Sequence, residues 1–237
     1  MDARTVARQL ELLGTPERAK NSAWFFKTGP GQYGEGDIFW GITVPEQRKI
    51  AKTYKDLPLG EVIKLLHSPI HECRLTALLI WVSQYQNGTA TKKLAIYKAY
   101  LANTRWVNNW DLVDTSAHKI IGPQLGPNYK STLTKLARSS SLWEKRIAVI
   151  ACFYYIKLGD PKPAFYIIDI LKYDQNDLIQ KAVGWMLREI GKACSREILL
   201  GWLLTNQQYT KLPRTTLRYA IEHFDQADRK AFLSGRA

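Results

Sequence analysis

Apolar residues recur along this chain three or four positions apart, the spacing that lines one face of a helix. No stretch alternates for long enough to suggest a strand. Val6, Leu10 and Leu13 begin the pattern, which stops at Gly14, a residue suited to close a helix. Thr15-Pro16-Glu17 starts a second helix, with Thr as its cap and Pro in its first turn. It runs into Trp24-Phe25-Phe26, aromatics expected in the core. Pro45 opens a third helix carrying Arg48, Lys49, Lys52 and Lys55, a basic face whose N-terminus follows a Gly turn and could meet phosphates. The same periodicity predicts helices over 59–67, 70–85, 89–101, 108–121, 128–137, 142–158, 163–172, 177–191, 196–205, 214–224 and 226–233. Gly88, Gly122-Pro123, Gly126-Pro127, Gly159-Asp160-Pro161 and Pro213 punctuate them as helix ends.

Residues 28–36 break the pattern, with Gly29, Gly31, Gly34 and Gly36 and no periodicity, and read as a flexible loop. No Lys-Ser or Lys-Thr follows these glycines, so they do not form the phosphate cradle of a P-loop, and nucleotide binding is not expected here.

A longer period is also present. Glu72-Cys73-Arg74, Asn108-Asn109-Trp110, Glu144-Lys145-Arg146 and Gln180-Lys181-Ala182 each lead into an apolar run, and they recur about every 36 residues, as in helix-pair solenoids. In this register Trp110 and Arg146 are equivalent, and Trp185 lies one turn further along the last repeat. Trp110 and Asp114, four apart, share a helix face, whereas Asp111 is turned off that line and complements the helix N-terminus. Arg146 stands at the mouth of an apolar run reaching Ile156. A charge in such a place calls for a carboxylate, and Asp114 of the preceding repeat would serve. Gly184 inside a helix costs about 1 kcal/mol relative to Ala, which suggests that another backbone or a ligand approaches closely. Trp185 and Arg188 share a face; on the plainest reading Trp185 is core and Arg188 solvated.

At 237 residues with 46% apolar and 11% aromatic content, the chain reads as a single globular domain, 1–237. The net charge of +13 points to a polyanionic partner, nucleic acid first among them. Cys73, Cys152 and Cys194 are odd in number and set in apolar contexts, as expected of buried thiols in a reducing compartment. The chain starts without an apolar signal core, and its longest apolar run, 148–156, is too short to cross a bilayer. A cytoplasmic protein is expected, with no membrane contact and nucleoid-associated when bound to DNA. His67, His71, His118 and His223 do not form a ligand cluster, and no metal or other cofactor is expected.

Several of these segments together resemble one family. Gly41-Ile42-Thr43-Val44-Pro45 with Arg48, Asn109-Trp110-Asp111-Leu112-Val113-Asp114, Leu142-Trp143-Glu144-Lys145-Arg146-Ile147-Ala148 and Ile179-Gln180-Lys181-Ala182-Val183-Gly184-Trp185-Met186-Leu187-Arg188-Glu189 are similar, in order and spacing, to the AlkD family of DNA alkylation-repair glycosylases. The similarity extends from about Pro16 to His223. It implies an all-α fold, a right-handed α-solenoid of HEAT-like antiparallel helix pairs with a concave basic face. It also implies monofunctional, monomeric base excision of cationic N3-alkyladenine and N7-alkylguanine from double-stranded DNA. The family's active residues fall on Trp110, Asp114, Arg146 and Trp185. Asp114 would stabilise the sugar as it becomes cationic, and the two indoles would hold the charged base. Arg146 would bind a phosphate or hold Asp114, and Arg48, Lys181 and Arg188 would contact phosphates. Thr43 stands where some members carry a longer polar residue near the strand opposite the lesion. The rival reading is a non-catalytic HEAT-repeat module that binds DNA or protein, and Asp114 beside two tryptophans is what argues against it.

Overall fold

A computed structural model describes residues 1–237 and is all-α, built from helix pairs, with a single isolated β-bridge between Ile38 and Ile70. Two compact units divide the chain, Met1–Ile120 and Ile121–Ala237.

The first unit holds α1 (Ala3–Glu11), α2 (Pro16–Phe25), α3 (Val44–Thr53), α4 (Leu59–Leu66), α5 (His71–Asn87), α6 (Ala90–Ala102) and most of α7 (Trp110–Leu125). Its centre is α5, which packs against α1, α3, α4 and α6 and buries Cys73, Leu75, Ala77, Leu78, Ile80 and Trp81. Helix starts follow the sequence closely. Thr15 accepts from the Arg18 amide, and Thr43 and Glu46 complete a reciprocal capping box at the start of α3. The carboxylate of Glu46 thus already serves that terminus, and Arg18 pairs with it at 3.1 Å.

Gly41, at φ +80°, is the one residue that fits between α2 and α3, because a Cβ there would lie 2.4 Å from the Ala19 amide nitrogen and 2.5 Å from the Thr15 carbonyl. The buried Glu72 carboxylate holds the same turn, accepting from the amides of Trp40, Gly41 and Ile42 at 3.2, 2.8 and 3.2 Å.

The second unit holds α8 (Tyr129–Ala137), α9 (Leu142–Ala151), α10 (Phe153–Lys157), α11 (Lys162–Leu171), α12 (Asp177–Ala193), α13 (Arg196–Leu204), α14 (Gln208–Lys211), α15 (Arg214–Ala220) and α16 (Gln226–Leu233). Here α12 is central and packs against α9, α10, α11, α13 and α15.

Three expectations need correction. Trp24 and Phe25 are not core: they are 74% and 54% exposed, Phe25 meeting Trp110 edge-on and Trp24 lying under Lys27. The helix predicted over 142–158 is two, divided at Cys152, whose thiol donates to the Ala148 carbonyl at 3.3 Å. Conversely, Gly122-Pro123 does not end α7. The helix continues to Leu125, and the Tyr155 hydroxyl lies 3.1 Å and 2.8 Å from the carbonyls of Gly122 and Gly126 at its end.

Candidate functional site

In the first unit the candidate residues gather at the start of α7. The Asn109 side-chain oxygen accepts from the Trp110 amide at 2.8 Å, and the Asn109 carbonyl takes the Val113 amide, so Asn109 is the cap and Trp110 the first helical residue. Asp114 follows one turn later, half-buried like Trp110. The Trp110 indole is held on several sides. Phe26 stacks on it at 5.3 Å, Phe25 meets it edge-on at 5.8 Å, and its N–H donates to the Tyr33 hydroxyl at 3.3 Å.

The glycine-rich segment is therefore tied down and not simply flexible. Gly34 donates to the Lys27 carbonyl at 3.1 Å, and a Cβ on Gly34 would sit 2.3 Å from the Phe26 carbonyl. That close approach brings Tyr33 to Trp110.

Beneath this wall lies a cluster of buried charges. His71, at the first position of α5 and about 2% exposed, faces Asp37 through Nδ1 at 2.9 Å and Asp111 through Nε2 at 2.8 Å. Arg74 donates to the other oxygen of Asp37 at 2.5 Å and to the carbonyls of Ser68 and Pro69, and Asn109 donates to Asp37 at 3.4 Å. Burial works against a charged His71, but the charge and hydrogen bond of Asp111 and the hydrogen bond of Asp37 outweigh it and push the imidazole up to about 9. Burial likewise opposes ionisation of Asp37, and His71 and Arg74 overcome it and hold the carboxyl below its usual range. Asp111 is thus more than a complement to a helix terminus: it reaches back to α5.

Arg48 and Thr43 are both exposed on α3, with Thr43 occupied as its cap.

In the second unit Arg146 is buried and donates to the Leu178 carbonyl in the first turn of α12 at 2.6 Å. Trp185 is not core: its ring is half-exposed, tilted against Phe153 at 5.7 Å, with its N–H on Glu189 at 3.1 Å. Arg188 is not simply solvated. It donates to Glu189 at 3.3 and 3.1 Å and pairs with Glu222, which holds the Glu222 carboxyl below its usual range. Lys181 lies 2.7 Å from Asp177 one turn earlier. The backbone approach suspected at Gly184 is present: α15 passes so closely that a Cβ would lie 2.5 Å from Tyr219 Cβ and 2.6 Å from the Thr216 carbonyl.

A groove of about 470 Å³ beside these residues is lined by Lys181, Arg188, Arg218 and Arg229 against Asp177 and Glu222. Nothing in the sequence distinguishes Arg218 and Arg229 from other exposed cations. The Asp37–His71–Arg74 cluster was more legible. Arg74 enters an apolar helix as Arg146 does, at the equivalent place in the 36-residue register, and the same demand for a carboxylate applied to it.

The chain is thus a helix-pair fold that carries an indole, a carboxylate and basic side chains at least partly exposed. The chain belongs to the DNA alkylation repair enzyme family, whose model matches residues 6–224. Among solved structures it is similar to a predicted DNA alkylation repair enzyme from Enterococcus faecalis, at 16% identity and a TM-score of 0.67, covering 90% of this chain and 97% of that one. No curated protein matches it. No helix is long and apolar enough to cross a membrane.

Proposed function

We propose that this chain is a DNA glycosylase that hydrolyses the N-glycosidic bond of cationic alkylated purines in duplex DNA. The observation that carries the reading is the half-exposed pair Trp110 and Asp114, one turn apart at the start of α7, in a chain of the DNA alkylation repair family.

An N3-alkylated adenine or N7-alkylated guanine already bears positive charge and leaves as a neutral base. The enzyme's task is to stabilise the deoxyribose as it becomes oxocarbenium-like. Asp114, ionised, stabilises that charge and orients water toward the anomeric carbon. The face of Trp110 attracts a cationic base through its ring quadrupole, contributing about 0.5–2 kcal/mol, an attraction a neutral base does not enjoy. No step in this scheme requires a metal or an organic cofactor.

Arg146, buried and donating to the Leu178 carbonyl, orders the start of α12, whereas Arg48, Lys181 and Arg188 meet the phosphates. Arg188, already paired with Glu189 and Glu222, does so as a shared cation. Replacing Arg218 by Ala, with no ion pair to lose, should lower the slope of log affinity against log salt by about 0.9, one phosphate's worth. Arg188→Ala should lower it by less. Fluorescence anisotropy on a methylated duplex across a salt series reads both, and an unchanged slope for Arg218→Ala removes that residue from the interface.

The reading itself is tested by incubating the protein with methylated duplex DNA in a chelating buffer. Free 7-methylguanine or 3-methyladenine should appear by chromatography. Tight DNA binding without base release would make the protein a binding module.

A further inference from the structure

The charge cluster under Trp110 sets a condition on protonation that follows from geometry alone. A neutral imidazole has one N–H and one bare nitrogen, and an ionised carboxylate only accepts. In this structure both ring nitrogens of His71 face carboxylate oxygens, Asp37 at 2.9 Å and Asp111 at 2.8 Å. Asp37 is kept ionised by Arg74, so both contacts form together only when the His71–Asp111 pair holds one additional proton.

From this cluster a short chain of contacts leads to the candidate reaction face. Asp37 accepts from Asn109, and Asn109 caps α7 through the Trp110 amide. Asp111 lies in the first turn of the same helix, between Trp110 and Asp114. A column of rings follows the same route: Phe39 stacks on His71 at 4.6 Å, and Phe26 touches both His71, at 4.8 Å, and Trp110, at 5.3 Å.

We propose that His71, clamped as an imidazolium between Asp37 and Asp111, is the positioning residue for the first turn of α7, and that it holds Trp110 and Asp114 in their working orientation. The inference rests on the glycosylase reading for the roles of those two residues, but not for the clamp. The charged groups facing His71 are Asp37 from the segment before α3, Arg74 and Glu72 from α5, and Asp111 from α7. The Glu72 carboxylate is spent on the amides of residues 40–42. With Asp37, Asp111, Arg74 and a charged His71 the cluster is neutral. Loss of the proton leaves it one negative charge in excess and turns one carboxylate toward a bare nitrogen.

The sign of the pH dependence follows. The imidazole is raised from 6.5 to about 9, so its contribution is complete below 6.5 and lost as pH climbs through about 9. The lesion-processing rate should fall over the same interval.

The test uses the full chain and two variants. NMR titration of the His71 ring should find it protonated up to about pH 9, and hydrogen exchange of the first α7 amides should quicken beyond that point. In Asp111→Asn the side-chain amide can donate to a neutral ring. The titration should then move toward the ordinary range, and the alkaline fall in kcat should disappear. His71→Ala should lose about tenfold or more in kcat at every pH, with DNA affinity retained. A His71 that titrates near 6.5, or an Asp111→Asn profile that follows the parent's, overturns the proposal. Titration and exchange need no turnover, so if the parent protein releases no base, the glycosylase reading fails while the clamp is judged on those two measurements.

Discussion

Asp114→Asn is expected to cut release of 7-methylguanine from duplex DNA by about 10²- to 10³-fold while leaving the affinity for that DNA within a small factor of the parent's. The separation follows from where charge develops. In the proposed reaction the positive charge of the ground state sits on the alkylated base. It reaches the sugar only as the glycosidic bond stretches. A carboxylate beside the sugar therefore acts on the transition state, and its loss appears in kcat more than in binding. Asn keeps the shape and some hydrogen-bonding capacity, so α7 should fold as before, with Asn109 still capping it and Trp110 still stacked on Phe26. Single-turnover excision and anisotropy on the same duplex measure the two quantities. Unchanged excision would remove Asp114 from the chemistry, and a parallel loss of binding would make it a docking residue.

The second large effect concerns stability. Ala is the better helix former by about 1 kcal/mol, so Gly184→Ala would be stabilising if α12 stood alone. It does not, since its added Cβ would lie 2.5 Å from Tyr219 Cβ and 2.6 Å from the Thr216 carbonyl, and a backbone carbonyl has little room to give. Separating α12 from α15 also strains the bond from the Thr216 hydroxyl to the Gln180 carbonyl, 3.2 Å long. Overpacking of this kind costs about 1–3 kcal/mol and more when backbone must move. The net expectation is a loss of about 2 kcal/mol, or about 4–8 °C in Tm for a chain of this size. Gly201 is the control. It lies in α13 with open space around its missing Cβ, so Gly201→Ala should gain about 1 kcal/mol. Two thermal melts decide the matter, and a Gly184→Ala protein as stable as the parent would mean that α15 yields at little cost.

The cysteines add little to the chemistry. Cys73 and Cys152 are buried, and burial raises both thiols, that of Cys73 to about 12. Neither is poised as a nucleophile.

Much of the architecture was legible before any coordinates. Helix starts are local events, decided within one turn by a cap residue and its partner three positions on. Thr15 acts as the sequence suggests, and Thr43, Ser141 and Asn176 cap their helices in the same way. The apolar period located α5, α9 and α12, because each buries a continuous set of apolar side chains against its neighbours. The one-turn spacing of Trp110 and Asp114 was likewise local.

The sequence misled where the outcome depended on what lies opposite. Trp24 and Phe25 look like core by composition, yet both stay mostly exposed, with Phe25 meeting Trp110 edge-on. Gly122-Pro123 looks like a helix end, yet the chain stays helical to Leu125, where the Tyr155 hydroxyl meets its terminal carbonyls. Asp111 taken alone complements a dipole, and only the arrival of His71 from a distant part of the chain makes it half of a clamp.

On its own, then, the sequence of this protein determined an all-α chain of paired helices, strongly basic, with an indole and a carboxylate one turn apart and a mid-helix glycine that marks a close approach. Each of those rests on spacing along a single helix, on summed charge, or on a residue's intrinsic conformational range. The tertiary structure alone decided that Asp37, His71, Arg74 and Asp111 form one buried network and that Glu189 and Glu222 restrain Arg188. These are pairings between residues more than thirty positions apart, save for a few near neighbours. Their energies depend on distance and burial, which become defined only once the helices have packed.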